Sequence, residues 1–243
     1  MEFDMPKKLH DIVYILKPDI KPDELRYSLR SVEKNFPHRK VWFVGGQPDG
    51  IEPDIMLNHK QTGASKWELI RSSMFKVVQE PDLTDEFFLF NDDFFVMKPF
   101  KGKFVNFVDK TLEWRVDDLR KVHPWLNPYG RTVYKANEEL KSLGIKQPMN
   151  FEVHLPMLFK KELVTSALVK CSSPQMRSVY GNITKCEWVQ HDDMKVYDLE
   201  SAPEDADFLS TNDTTFRDGK VGELIRGVFS NPSRWETPTP KGV

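Results

Sequence analysis

Two adjacent carboxylates stand inside an otherwise apolar segment, Asp85–Phe100, which reads DEFFLFNDDFFVMKPF. Phe87-Phe88-Leu89-Phe90 is a continuous apolar run, too short for a buried helix and rich in aromatic residues. Such a run predicts a strand covered on both faces in a parallel sheet. It stops at Asn91-Asp92-Asp93, resumes as Phe94–Met97 and breaks at Pro99. Burying neighbouring carboxylates without partners is costly. A divalent cation, Mg2+ or Mn2+, would neutralise both, and hard cations prefer such oxygen ligands. Carboxylates at the end of a central strand also lie where open α/β sheets bind ligands. The competing reading is a polar turn between two hairpin strands, since Asn and Asp favour turns.

Three further groups carry chemistry-bearing side chains. Arg26 and Arg30 are one turn apart on a predicted helix, near its positive end, where basic residues oppose the dipole unless an anion arrives. Phosphate binding and an ordinary solvated helix face are the two readings of that pair. His191-Asp192-Asp193 is a second metal-capable cluster, able to complete a coordination shell around Asp92 and Asp93 or simply to form an acidic loop. Trp114, Trp125, Tyr129 and Tyr134 lie between the acidic pair and His154; most are expected to pack, although aromatic faces also stack on sugars and bases.

The elements that must position these residues follow from periodicity. DIVYIL at 11–16 and KVWFV at 40–44 are strands, and 54–58 is a third, short one. Between the first two, 23–36 is a helix whose Leu25, Leu29, Val32 and Phe36 form one buried stripe. A helix over 65–80 opens on a capping box formed by Ser65 and Glu68. Strand, helix, strand, short strand, helix, strand is the alternation of a parallel sheet with covering helices. Further helices are expected at 134–143, after Pro156 within 151–170, and at 221–229. Gly45-Gly46 reads as a turn rather than a dinucleotide fingerprint. The segment 237–243, TPTPKGV, is expected to be a flexible tail.

With 35 basic and 37 acidic residues in 243, the formal net charge is −2, which gives no sign of a global polyanion-binding surface. No apolar run approaches the ~18 residues that cross a bilayer. Two cysteines without CxxC spacing argue for reduced thiols, so a cytoplasmic protein is expected.

Several blocks resemble the Stealth family of sugar-phosphate transferases and their glycosyltransferase relatives. DELRYSLRS at 23–31 followed by FLFNDDFFV is similar to the family's second region. FEVHLPMLFKK, with Arg177-Ser178 and Tyr180-Gly181-Asn182, is similar to the third. Residues 210–213 and 231–233, with Glu236, weakly resemble the fourth. At the first region, DIVYILKPD keeps the strand but lacks the family's tryptophan and Asp-Gly. The resemblance implies a nucleotide-sugar-binding fold of the GT-A type, Rossmann-like, with a mixed α+β distal part. It implies one catalytic domain over 1–236, with 11–100 holding the donor and 101–236 the acceptor.

On that reading Asp92 and Asp93 hold the metal, joined by His191, and Asn91 orients them beside the donor phosphates. Arg26, Arg30 and Arg177 stabilise phosphate charge, and His154 takes the acceptor's proton. The expected reaction is glycosyl transfer from a nucleotide-sugar donor to a hydroxyl on a glycan or a modified nucleic acid. Sugar-1-phosphate transfer and metal-dependent phosphohydrolysis or nuclease action are the alternatives. Oligomeric state is not legible from these residues.

Overall fold

A computed structural model describes residues 9–59 and 66–237, with Lys66 and Trp67 described by their backbone alone. Ser65 of the expected capping box and the tail beyond Thr237 lie outside the described residues.

The first half alternates as expected: β1 (Asp11–Leu16), α1 (Pro22–Asn35), β2 (Val41–Gly45), β3 (Ile55–Leu57), α2 (Lys66–Val77) and β4 (Glu86–Phe90). The second half contains β5 (Phe94–Val96), β6 (Asn106–Val108), α3 (Leu112–Val122), α4 (Pro128–Ser142), β7 (Met157–Lys160), α5 (Lys161–Leu168) and α6 (Met176–Thr184). It closes with β8 (Trp188–Gln190), β9 (Phe208–Ser210), α7 (Asp213–Asp218) and α8 (Lys220–Val228). The central sheet has five strands in the order β3-β2-β1-β4-β7. Its first four strands run parallel and β7 is antiparallel to β4.

Strand alternation divides the core in two. Ile12, Tyr14 and Leu16 of β1, with Phe88 and Phe90 of β4, face the α1 stripe of Leu25, Leu29, Val32 and Phe36. Val13, Phe87 and Leu89 face the other way, onto Met74 and Val77 of α2, Val164 of α5 and Val179 of α6. Each such fully buried aliphatic or aromatic side chain contributes about 1.5–3 kcal/mol. Strands covered on both faces must be apolar along their covered length, which is why β1 from Ile12 and β4 from Phe87 read as unbroken runs.

One expectation changes, and one competing reading falls. Residues 157–160, expected to open a helix after Pro156, form β7, and the helix starts at Lys161. Phe159 stacks on Phe87 at 5.7 Å and sits beneath Tyr180, and that burial at the edge of the sheet outweighs helical propensity. β4 and β5 are not a hairpin either: β5 pairs antiparallel with β9 in a separate two-stranded sheet.

Candidate active site

The acidic pair sits at the seam between two sheets. β4 ends at Phe90, the backbone turns so that Phe94 N–H donates to Asn91 O (3.3 Å), and β5 leaves at once for β9. Helix α1 holds it there with a polar stripe beside its apolar one. Ser28 Oγ donates to Phe94 O (2.6 Å), Val96 N–H donates to Ser31 Oγ (3.0 Å), and Asn35 Nδ2 donates to Val96 O (2.7 Å). The Tyr14 and Ser28 hydroxyls meet at 2.9 Å, tying the stripe to β1. In sheet order β1 lies between β2 and β4, so this seam is a topological switch point, where ligands of open α/β sheets bind.

Charge is crowded at the seam. Asp93 Oδ2 pairs with Lys195 Nζ at 2.8 Å, while its Oδ1 is buried with no hydrogen-bond partner among the described residues. Burial, then the charge of Asp93, push the Asp92 carboxyl up to about 6, against the pull of Lys17 and Lys195. Glu24, at the start of α1, is pushed up to about 7 by burial first and by Asp93 and Asp92 next, although Thr211 donates to it at 2.7 Å. Asn91 Oδ1 accepts from Arg177 Nη2 at 2.7 Å. Arg177 is only 8% exposed, 3.8 Å from Glu152 and 5.6 Å from the centre of the Phe94 ring. Burial lowers the pKa of its guanidinium, opposed by Glu152 and Asp93.

His154 reaches the same place from the other half of the chain. Its ring meets Phe94 edge-on at 6.4 Å, so His154 and Arg177 share the ring that follows the acidic pair. Asp193 takes His154 Nδ1 with both oxygens, at 2.8 and 2.9 Å, and Oδ1 also accepts from the His154 backbone (3.2 Å). Burial works to raise the Asp193 carboxyl, but these bonds from His154 outweigh it and hold the pKa below its usual value. An ionised carboxylate on Nδ1 fixes the proton there and leaves Nε2 as the acceptor. Helix α6 fixes the segment that carries His154: Ser178 Oγ accepts from Phe151 N–H (3.0 Å), and Asn182 bonds both Met149 N–H and Met149 O. Gly181 leaves room for the Phe151 ring, 2.6 Å from where a Cβ would stand.

Asn91, Asp92, Asp93, His154 and Arg177 are thus brought together. Arg26 and Arg30 are not part of this group. Arg30 makes a two-pronged pair with Glu236, at 2.7 and 2.6 Å, and Arg26 reaches the same carboxylate at 3.3 Å. These arginines therefore clasp the carboxyl-terminal segment onto α1. His191 lies at the end of β8 with its ring against Phe107 and its Nδ1 on Asp192 O. Among the described residues no three His, Cys, Asp or Glu side chains are grouped to hold an ion, so His191 does not join Asp92 and Asp93 in one ligand set. The donor set at the turn nevertheless fits a divalent cation in a two-carboxylate mode: one buried Asp93 oxygen without a hydrogen-bond partner among the described residues, and a neighbouring carboxyl raised by burial and then by the charge of Asp93.

Glu24, Glu152 and Lys195 were not singled out by the sequence. Lys195 has a weak signal, two residues after Asp193 in an extended stretch and so on the same side as that carboxylate.

No known protein-family profile matches the chain, so the Stealth resemblance stays at the level of its short blocks. No curated protein matches it either. Among solved structures, the galactosyltransferase LgtC in complex with donor and acceptor sugar analogues is similar, with a TM-score of 0.52 and 10% identity. The match covers 95% of this chain and 98% of that one. At such identity the likeness shows the fold alone. The chain has a GT-A-like, Rossmann-type α/β fold, with Asp92 and Asp93 at the carboxyl end of its central sheet.

Proposed function

We propose that residues 11–236 act as one catalytic unit that transfers a sugar from a nucleotide-sugar donor to an acceptor hydroxyl. The observation that carries this reading is the His154–Asp193 pair beside the acidic turn, on a fold shared with a galactosyltransferase. Asp92 and Asp93 would hold Mg2+ or Mn2+. When bound, the ion supplies positive charge that stabilises the departing nucleotide diphosphate. Lys195 tethers Asp93 and keeps a protein cation at the same spot. Arg177 fixes Asn91 from beneath and adds a buried positive charge facing Asp93. His154 Nε2 accepts the acceptor hydroxyl's proton, and Asp193 holds the imidazole in the tautomer this requires. Arg26 and Arg30 are given no phosphate role, because Glu236 already occupies their guanidinium faces.

The test is a thermal-shift panel of nucleotide sugars with and without Mg2+ or Mn2+, since ligand binding to the folded state raises apparent stability. Products formed with the binding donor are then weighed by mass spectrometry. A gain of one sugar on the acceptor is expected. A gain of sugar plus phosphate would move the reaction to sugar-1-phosphate transfer, and release of free sugar or cleaved nucleic acid without an acceptor would make it a hydrolase. Absence of any metal-dependent shift would overturn the donor site.

A further inference from the structure

The helical hairpin of α3 and α4 ends in a turn that the proposed reaction does not use. Its base is held to the body of the protein: Leu112 N–H donates to Pro148 O (2.8 Å) and Asn150 N–H to Lys110 O (2.9 Å). Leu112, Val116, Val133, Ala136 and Leu140 give the hairpin a core of its own. The turn lies at the far end of α3, about 16 Å from that base for a helix of 11 residues. Six consecutive residues there, 120–125, are exposed. Trp125 at 93% and Val122 at 74% are the two most exposed large apolar side chains among the described residues.

Backbone and charge at this turn are both arranged around that exposure. Leu126 takes φ 50°, a left-handed conformation that is costly for a leucine. Its N–H donates to His123 O (2.8 Å), its carbonyl accepts from Arg131 Nη1 (3.2 Å), and Asn127 caps α4 through Gly130 N–H (2.8 Å). Leu126 is thereby buried in the hairpin core, while Trp125 just before it is left in solvent. Strain held in place by its surroundings concentrates at functional positions. From 119 to 137 the chain carries Arg120, Lys121, Arg131 and Lys135 and no Asp or Glu, although its net charge is −2. Two of these cations leave from α3 and two from α4, so they flank the turn on both helices. Arg120 lies over the Tyr134 ring (5.5 Å) and Lys121 over the Trp114 ring (5.9 Å). The ion pairs of Arg120 with Asp117 (3.6 Å), Lys121 with Asp118 (3.2 Å) and Lys135 with Glu139 (3.8 Å) are each within one helix and open to water, where such pairs contribute little.

We infer that this turn docks the protein onto a bilayer surface that carries anionic phospholipid. An indole sits well at the headgroup level, where its ring is apolar and its N–H is wet, and Val122 adds an aliphatic contact beside it. Lysines and arginines on both helices meet the phosphates of a plane of headgroups from either side of the inserted tip. A single-stranded nucleic acid would use the cations and Trp125 but would leave Val122 and the exposed Pro124 nothing to stack on. A protein partner would need an apolar pocket with acids on two sides, whereas a bilayer closes around any convex tip. The docking goes beyond the transferase reading and does not depend on it.

The experiment is co-flotation of the full chain with vesicles of phosphatidylcholine, alone or with about one-third phosphatidylglycerol. The wild-type protein should float with the mixed vesicles and not with phosphatidylcholine alone. Raising salt from about 0.1 to 0.5 M should weaken that binding at least about tenfold. Trp125→Ala should weaken it by about tenfold, and Arg120→Ala with Lys121→Ala by about twentyfold. Val169→Ala, at an exposed position on the end of α5, should change nothing. Melting temperatures check folding, and Val122→Ser replaces Trp125→Ala if that variant melts early. No flotation, equal flotation with both vesicles, or flotation untouched by the turn variants overturns the docking. A single-stranded thymidine oligonucleotide is run in parallel; binding to it through Trp125, without flotation, gives the turn to nucleic acid and overturns the proposal equally.

Discussion

At the scale of single residues, the acidic turn is held together by unequal partners. Among the described residues, Asp93 has an ammonium on one oxygen and no hydrogen-bond partner on the other, while the neighbouring Asp92 and Glu24 carboxyls have no salt-bridge partner of their own. Asp93→Asn should cut metal-dependent transfer by at least about a hundredfold, because a cation ligand and a full charge are lost together. It should also destabilise the fold by about 1 kcal/mol through Lys195, which would lose its carboxylate in a largely buried place. Steady-state rates and urea unfolding check both halves; wild-type activity with metal present would reduce the pair to a turn. Asp92→Asn should do the opposite to stability in chelator. The raised carboxyl is harmless below its unfolded value near 3.8, and its penalty grows as pH rises through about 6. The variant should therefore gain about 1–2 kcal/mol over wild type at pH 8 and nothing at pH 3.5. Equal stability at both pH values would contradict this account.

At the scale of elements, the turn owes its place to helices that grip irregular backbone. The polar stripe of α1 satisfies β5, and removing one member should be felt at the site. Asn35→Ala strands Val96 O in a buried position and should cost about 1–3 kcal/mol, read by denaturant unfolding. Helix α6 grips the other side. Gly181→Ala would drive a methyl into the Phe151 ring, at a cost of about 1–3 kcal/mol. Because Phe151 precedes Glu152, the displacement should also loosen Arg177 and lower turnover beyond what lost stability explains. Turnover falling only in step with the folded fraction would confine Gly181 to packing.

At the scale of the whole molecule, the carboxyl-terminal segment closes over the amino-terminal helix. Glu236 draws in Arg26 and Arg30, accepts from Ser233 N–H at 2.8 Å, and bridges to Ile51. Burial works to raise its carboxyl, but hydrogen bonds from Arg30 and Ser233 prevail and take the pKa down to about 2. A depressed carboxyl contributes stability above its unfolded value, near 4.5, and loses it as pH falls toward 2. Glu236→Gln should lower stability by about 2 kcal/mol at pH 7 and flatten the acid limb of the stability profile between about pH 4.5 and 2. A variant whose acid limb overlays the wild type would remove the clasp from the stability account.

The sequence by itself determined what local periodicity encodes. The order of strands and helices through β4, the apolar stripe of α1 and the position of the acidic pair after β4 all follow from spacing within a dozen residues. Residues 157–160 escaped because the short apolar run Met157-Leu158-Phe159 satisfies either a helix or a strand, and only the edge of β4 chose between them. The site's pairings depend on sequence separation instead. Lys195 meets Asp93 across 102 positions, Asp193 meets His154 across 39, and Glu236 meets Arg30 across 206. A lone lysine, aspartate or glutamate carries no mark of its distant partner. Charge partners are selected by the shape of the closed chain, so the tertiary structure decided which arginines clasp the carboxyl-terminal segment onto α1, which one bonds the turn, and which carboxylate orients the histidine.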